Sequence, residues 1–144
     1  MDGQINFHGS SEHKIEITPA FENWLSQVIH AKGYLYSEIN FTFCKDDELL
    51  RINRKYLNHD FYTDIITFDN TLDKTISADI AISIDRVREN ALKEGVATDH
   101  ELKRVLVHGI LHCMGYDDKN ATEKEEMRSE ENKALSMFHV EHKR

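Results

Sequence analysis

The chain has 144 residues, 40% of them apolar and 31% charged, which suits one soluble domain with one core and excludes a disordered segment. Its 26 acidic and 18 basic residues leave a net charge of −8. A field of that sign repels polyanions, so a nucleic-acid ligand would need a local cationic patch or a metal. No apolar run approaches the ~20 residues that span a bilayer. Met1, Asp2, Gly3 and Gln4 form neither a basic n-region nor an apolar h-region. Two cysteines, Cys44 and Cys113, do not make a disulfide framework. The expectation is a cytoplasmic protein with free thiols.

In chain order, Ile15, Glu16 and Ile17 alternate like a strand. Thr18 and Pro19 then read as helix N-cap and first helical residue, and Phe21, Trp24, Leu25, Val28 and Ile29 recur at helical spacing up to Gly33. Residues 39–43 alternate with period two and predict a strand. Asp46 or Asp47 is placed to cap a short helix carrying Leu49, Leu50, Asn53 and Tyr56. Residues 64–68 and 76–84 predict two more strands, and Asp85 is placed to cap a helix ending at Gly95. Thr98 with Glu101, and Thr122 with Glu125, fit the capping box. The first box opens a helix to about Met114, closed by Gly115; the second opens a charged C-terminal helix carrying Met127, Ala134 and Leu135. Residues 139–144 read as a frayed tail. The sum is one α+β domain over residues 1–144, a mixed sheet of about four strands with helices around it.

The chemistry concentrates in residues 108–118, HGILHCMGYDD. Val105, Leu106, Val107, Ile110, Leu111, Cys113 and Met114 make this helix apolar on nearly every side, so it is central and buried. His108 and His112 share one face a turn apart, where two imidazoles can converge on one ion at the ~2.0–2.1 Å of zinc–nitrogen bonds. Gly115 stops the helix, and the chain can turn back to bring Asp118 to the same point. A lone buried histidine is most simply a satisfied core residue, but burying two without partners is costly. Spacing favours Asp118 over its neighbour Asp117 as third ligand. Two imidazoles and one carboxylate leave an open position, as in catalytic zinc sites. A metallopeptidase of the HExxH type would need glutamate directly after the first histidine; Gly109 stands there.

These residues resemble the YbeY family of single-strand-specific endoribonucleases of ribosomal RNA maturation, whose pattern HGxLHxxGYDH supplies three zinc-binding histidines. His108 and His112 match the first two, and Asp118 stands at the third. Residues 50–68, with Asn53, Tyr56, Asp60, Thr63, Asp64 and Phe68, resemble the stretch LNxxYRxxDxPTDVLSF, and residues 77–83 resemble the strand LGDIxIS. Leu57 stands where that pattern has arginine, and Tyr62 and Ala78 replace its proline and glycine. The resemblance implies a zinc-dependent endoribonuclease acting on rRNA precursors and in ribosome quality control, with the ribosome or its proteins as partners. It also implies that Tyr62, Thr63, Asp64 and Asp79 line the site.

With Leu57 unable to hold a phosphate, Arg51, Arg54 and Lys55 on one helix face are the candidates for gripping the RNA backbone. A solvated, salt-bridged face is the plainer account of those cations. Asp117 and Asp64 are the candidate proton-transfer groups, although no side chain identifies itself as the base. His59 reads as a surface residue, and Cys44 and Cys113 as core. Two other functions stay open: a metallopeptidase-like hydrolase, and a non-catalytic ribosome assembly factor whose metal only holds the fold. Asp118 and Leu57, which depart from the catalytic pattern, keep the latter open.

Overall fold

Period-two apolar alternation builds a four-stranded sheet, and helices with apolar stripes cover both its faces. The computed structural model describes residues 3–142, with side chains through Phe138. The elements are β1 (Gln4–His8), α1 (Pro19–Ala31), β2 (Leu35–Cys44), α2 (Asp46–Leu57), β3 (Ile65–Asp69), β4 (Thr75–Ser83), α3 (Ile84–Glu94), α4 (Thr98–Cys113) and α5 (Ala121–His142). The strand order is β1-β2-β4-β3, parallel except for the antiparallel β3–β4 pair. The mixed sheet and the α+β class are therefore as expected.

Alternation decides which helices meet which face. Ile39, Phe41 and Phe43 of β2, with Ile80 and Ile82 of β4, enter the main core together with Trp24, Leu25, Leu106, Ile110 and Leu135. Their neighbours Cys44 and Ala81 point the other way and meet Leu49 of α2. Each such buried side chain contributes roughly 1.5–3 kcal/mol. So α2 covers one face, while α1, α3, α4 and α5 cover the other. Beside the edge strand β3, residues of α2 and α4 line one cavity.

Several local expectations are corrected. Ile15 and Ile17 form no strand; they sit in a loop and pack partly against the core, which explains their alternation. The first strand is instead β1, with Ile5 buried. The N-cap of α2 is Lys45, whose N–H donates to Glu48, and that of α3 is Ser83, whose Oγ accepts from Arg86 N–H. The acids assigned to those caps link the two helix starts: Asp85 accepts from Asp46 N–H, and Asp46 accepts from Ser83 Oγ and Arg86 Nε. Neither predicted capping box forms as such. Ala97 precedes α4 with no side-chain cap, and Asn120 accepts from Glu123 N–H at the start of α5. The last helix continues to His142 through most of the expected tail; Met1, Asp2, Lys143 and Arg144 lie outside the described residues.

Helix α4 lies close on the sheet because Gly109 has no side chain. A Cβ there would stand 3.1 Å from the Cδ1 atoms of both Ile65 and Ile80. The position that carries glutamate in HExxH peptidases thus faces packed strands. Gly109 sets the depth at which the flanking histidine is held.

Candidate metal centre

The apolar faces of α4 fix its rotation, and that rotation leaves His108 and His112 on the rim beside β3. Their rings lie one turn apart, with centroids separated by 4.7 Å and planes at 82°. After Cys113 the helix ends in a turn in which Gly115 adopts φ +99°, a conformation glycine takes without strain. The turn is fastened from the connection between α1 and β2: Tyr34 donates its hydroxyl to Met114 C=O (3.2 Å), and Lys32 donates to Tyr116 Oη (3.0 Å). The returning chain puts Asp118 Oδ2 at 3.5 Å from His108 Nε2 and 3.8 Å from His112 Nε2.

The donor set fits a small divalent ion. Tetrahedral bonds of ~2.0–2.1 Å place ligand atoms about 3.4 Å apart, and one atom from each of His108, His112 and Asp118 lies within 4.8 Å of the others. Both Nε2 atoms face the shared point, while the Nδ1 atoms face other carboxylates. His108 Nδ1 lies 2.7 Å from Glu131 Oε2, and His112 Nδ1 lies 3.8 Å from Asp117 Oδ1. A carboxylate behind an imidazole fixes its tautomer and orients it toward a metal. Of the two aspartates, Asp118 lies near both Nε2 atoms and Asp117 lies on the Nδ1 side of His112.

Glu131 is the site residue that sequence reasoning missed. It is 4% exposed, and its second oxygen accepts from Arg104 Nη1 at 2.9 Å, while Arg104 Nη2 reaches Asn132 Oδ1 at 2.9 Å. A signal was present: Glu131 falls on the stripe Met127, Ala134, Leu135 that α5 buries, and Arg104 lies one turn before His108. Burial alone would raise the Glu131 carboxyl, but hydrogen bonds from His108 and Arg104 outweigh it and hold the group below its ordinary value. Burial likewise opposes the charged form of His108, yet the bond to Glu131 raises its pKa.

Two cavities flank the histidines. One of about 500 Å³ is lined by His108, Asp118, Asp64, Glu131, Lys124 and Arg128 among others. Asp64 lies there just before β3, its carboxyl raised by burial despite the opposing pull of His108. The other, of about 520 Å³, has His112, Leu57, His59, Phe61 and Thr63 on its walls. Arg51, Arg54 and Lys55 are exposed on α2 and line neither cavity; Arg54 Nε is paired with Asp60 at 2.5 Å. Asp79 also lies away from both, accepting from Asn40 Nδ2, and Tyr62 donates to Asp47. Cys44 and Cys113 are buried thiols, pushed up to about 11 and about 12 chiefly by desolvation.

Fold and site together define an α+β domain with a His–His–Asp donor set of metal-binding type. A family model described as Endoribonuclease YbeY matches residues 6–139. Relatives of the same description come from Flavobacterium johnsoniae, 49% identical over 95% of this chain and 99% of that protein, and from Christiangramia forsetii, 45% identical over 96% and 97%. The solution structure of TM1509 from Thermotoga maritima has a similar fold, with a TM-score of 0.68 and 23% identity over 97% of this chain and 92% of that one. The chain belongs to the YbeY endoribonuclease family.

Proposed function

We propose that this chain is a zinc-dependent, single-strand-specific endoribonuclease acting in the cytoplasm on rRNA precursors and in ribosome quality control. The observation that carries the proposal is the convergence of His108 Nε2, His112 Nε2 and Asp118 Oδ2 in a member of a family named for endoribonuclease activity. Among the described residues no helix is long and apolar enough to cross a membrane.

His108, His112 and Asp118 would hold the ion. When bound, a divalent ion supplies a Lewis acid for the phosphate oxygens and lowers the pKa of bound water. The remaining work belongs to the chain. Glu131 keeps a proton on His108 Nδ1 and so presents the Nε2 lone pair. Hydrolysis joins a water oxygen to phosphorus and breaks the bond to the leaving oxygen, so one proton leaves the water and one reaches the leaving group. We assign these transfers to Asp64, in the cavity beside His108, and to Asp117, beside His112. Exposed Arg51 and Lys55, with Arg54, are assigned to the RNA backbone approaching along α2, and the ribosome or its proteins to presenting the substrate.

The peptidase reading finds no support at Gly109, where the HExxH base would meet Ile65 and Ile80. The assembly-factor reading is favoured by Leu57, which leaves a cavity wall without the motif's guanidinium. The deciding test measures metal content and single-stranded RNA cleavage on the same samples of wild type and His112→Ala. About one metal per chain with cleavage, both lost in the variant, is the expected result. Metal bound and lost with no RNA cut would move the assignment to an assembly factor.

A further inference from the structure

We infer that the cleft on the His112 side of β3 seats one unstacked nucleobase of a single-stranded RNA, with Phe61 as its stacking platform. The inference rests on the endoribonuclease reading and names the part of the substrate that this cleft takes. Phe61 is 54% exposed, on the loop of residues 58–64 between α2 and β3. The His59 ring lies nearly parallel to it, 5.1 Å away at 20°, so the stack is already started, and both residues are exposed. A base has a flat π face and extends such a stack whatever its identity.

The platform is positioned rather than loose. Asn53, 1% exposed, donates its side-chain amide to Phe61 C=O at 2.9 Å. Asn58 ends α2 in the left-handed conformation at φ 56°, and Asp60 is tied back to Arg54.

Charge sorts the two cavities. Among the described residues no lysine or arginine lines the His112 cleft, while Asp69 does, so a phosphate gains nothing there and a neutral base loses nothing. Asp69, whose Oδ1 accepts from Thr71 N–H, keeps further carboxylate lone pairs for an exocyclic amino edge. The cavity beside His108 instead carries Lys124 and Arg128. His112 belongs both to the cleft wall and to the donor set, so a base seated on Phe61 leaves its adjoining phosphodiester beside the metal centre. In a duplex the bases are stacked on their own neighbours, and the platform stays empty. Base capture by Leu57, His59 and Phe61 thus yields single-strand preference without the motif arginine.

The test uses the full chain and a short single-stranded RNA carrying one 2-aminopurine, with a duplex of the same sequence as control. Binding is followed by anisotropy in chelator, and cleavage after zinc is restored. Phe61→Ala is expected to weaken single-strand binding about tenfold and to abolish the stacking quench of 2-aminopurine. Phe61→Tyr restores both to within about twofold, and duplex binding is the same in all three proteins. Because Phe61 is exposed, far-UV circular dichroism is expected to show all variants folded. If Phe61→Ala binds single strands as the wild type does, while the wild type cuts RNA, the base site is overturned and the proposed function stands. A wild type that neither binds nor cuts single-stranded RNA overturns the proposed function, and the base site with it.

Discussion

Glu131 Oε2 lies 2.7 Å from His108 Nδ1, joining the long C-terminal helix α5 to the buried helix α4. Glu131→Gln keeps the shape but removes the charge behind the imidazole. Zinc affinity is expected to fall about 10–100-fold, read by competition with a chromophoric chelator. Glu131→Ala also strands Arg104 in the core. Breaking a buried pair costs roughly 3–5 kcal/mol, which urea unfolding would show as a lower midpoint at unchanged slope.

Asp118 Oδ2, the proposed third donor, lies 3.5 and 3.8 Å from the two Nε2 atoms. Asp118→Ala is expected to weaken zinc binding further than Glu131→Gln does. Asp118→His restores the family's third imidazole and is expected to bind about one metal per chain, by mass spectrometry of the native protein.

Removing the metal is expected to lower stability by mass action. With free zinc at a hundred times its dissociation constant, the bound ion adds about 2.7 kcal/mol. Addition of chelator should therefore move the unfolding transition of the wild type and leave that of His112→Ala where it was.

The Lys32–Glu130 pair ties the end of α1 to α5. The hydrogen bond from Lys32 holds the Glu130 carboxyl below its ordinary value of 4.5. Partial burial would lower the Lys32 pKa, but bonds to Glu130 and Tyr116 outweigh it and raise it above 10.5. A lowered carboxyl stabilises the fold above about its ordinary value and stops doing so as pH falls through the folded value; a raised ammonium stabilises below its ordinary value and stops as pH rises past the folded one. The stability difference between wild type and Lys32→Met should thus be largest near neutral pH and shrink below pH 4.5 and above pH 10.5, measured by urea midpoints.

Gly109→Leu places a branched side chain where even a Cβ would stand 3.1 Å from Ile65 and Ile80. Overpacking of this kind costs about 1–3 kcal/mol. Calorimetry should show a lower Tm, and metal affinity should fall with it if α4 lifts from the sheet.

The sequence by itself determined the class of fold, the elements from α1 onward to within a few residues, and the three side chains at residues 108, 112 and 118 that the fold brings together. Those features follow from periodicity and from spacing along one helix, which are local properties of the chain. Cap assignments erred where a local acid had a distant partner: Asp46 and Asp85 looked like caps, yet each serves the neighbouring helix start. Strand β1 was missed because a five-residue strand carries little pattern, and its pairing with β2 joins residues far apart in sequence. Only the tertiary structure decided the partners of the donors. Glu131 meets His108 and Arg104 because α5 packs on α4, and Phe61 shares a cleft with His112 because the loop after α2 and the end of α4 meet beside an edge strand. Contacts of that kind depend on how buried faces stack in space, and no spacing along the chain encodes them directly.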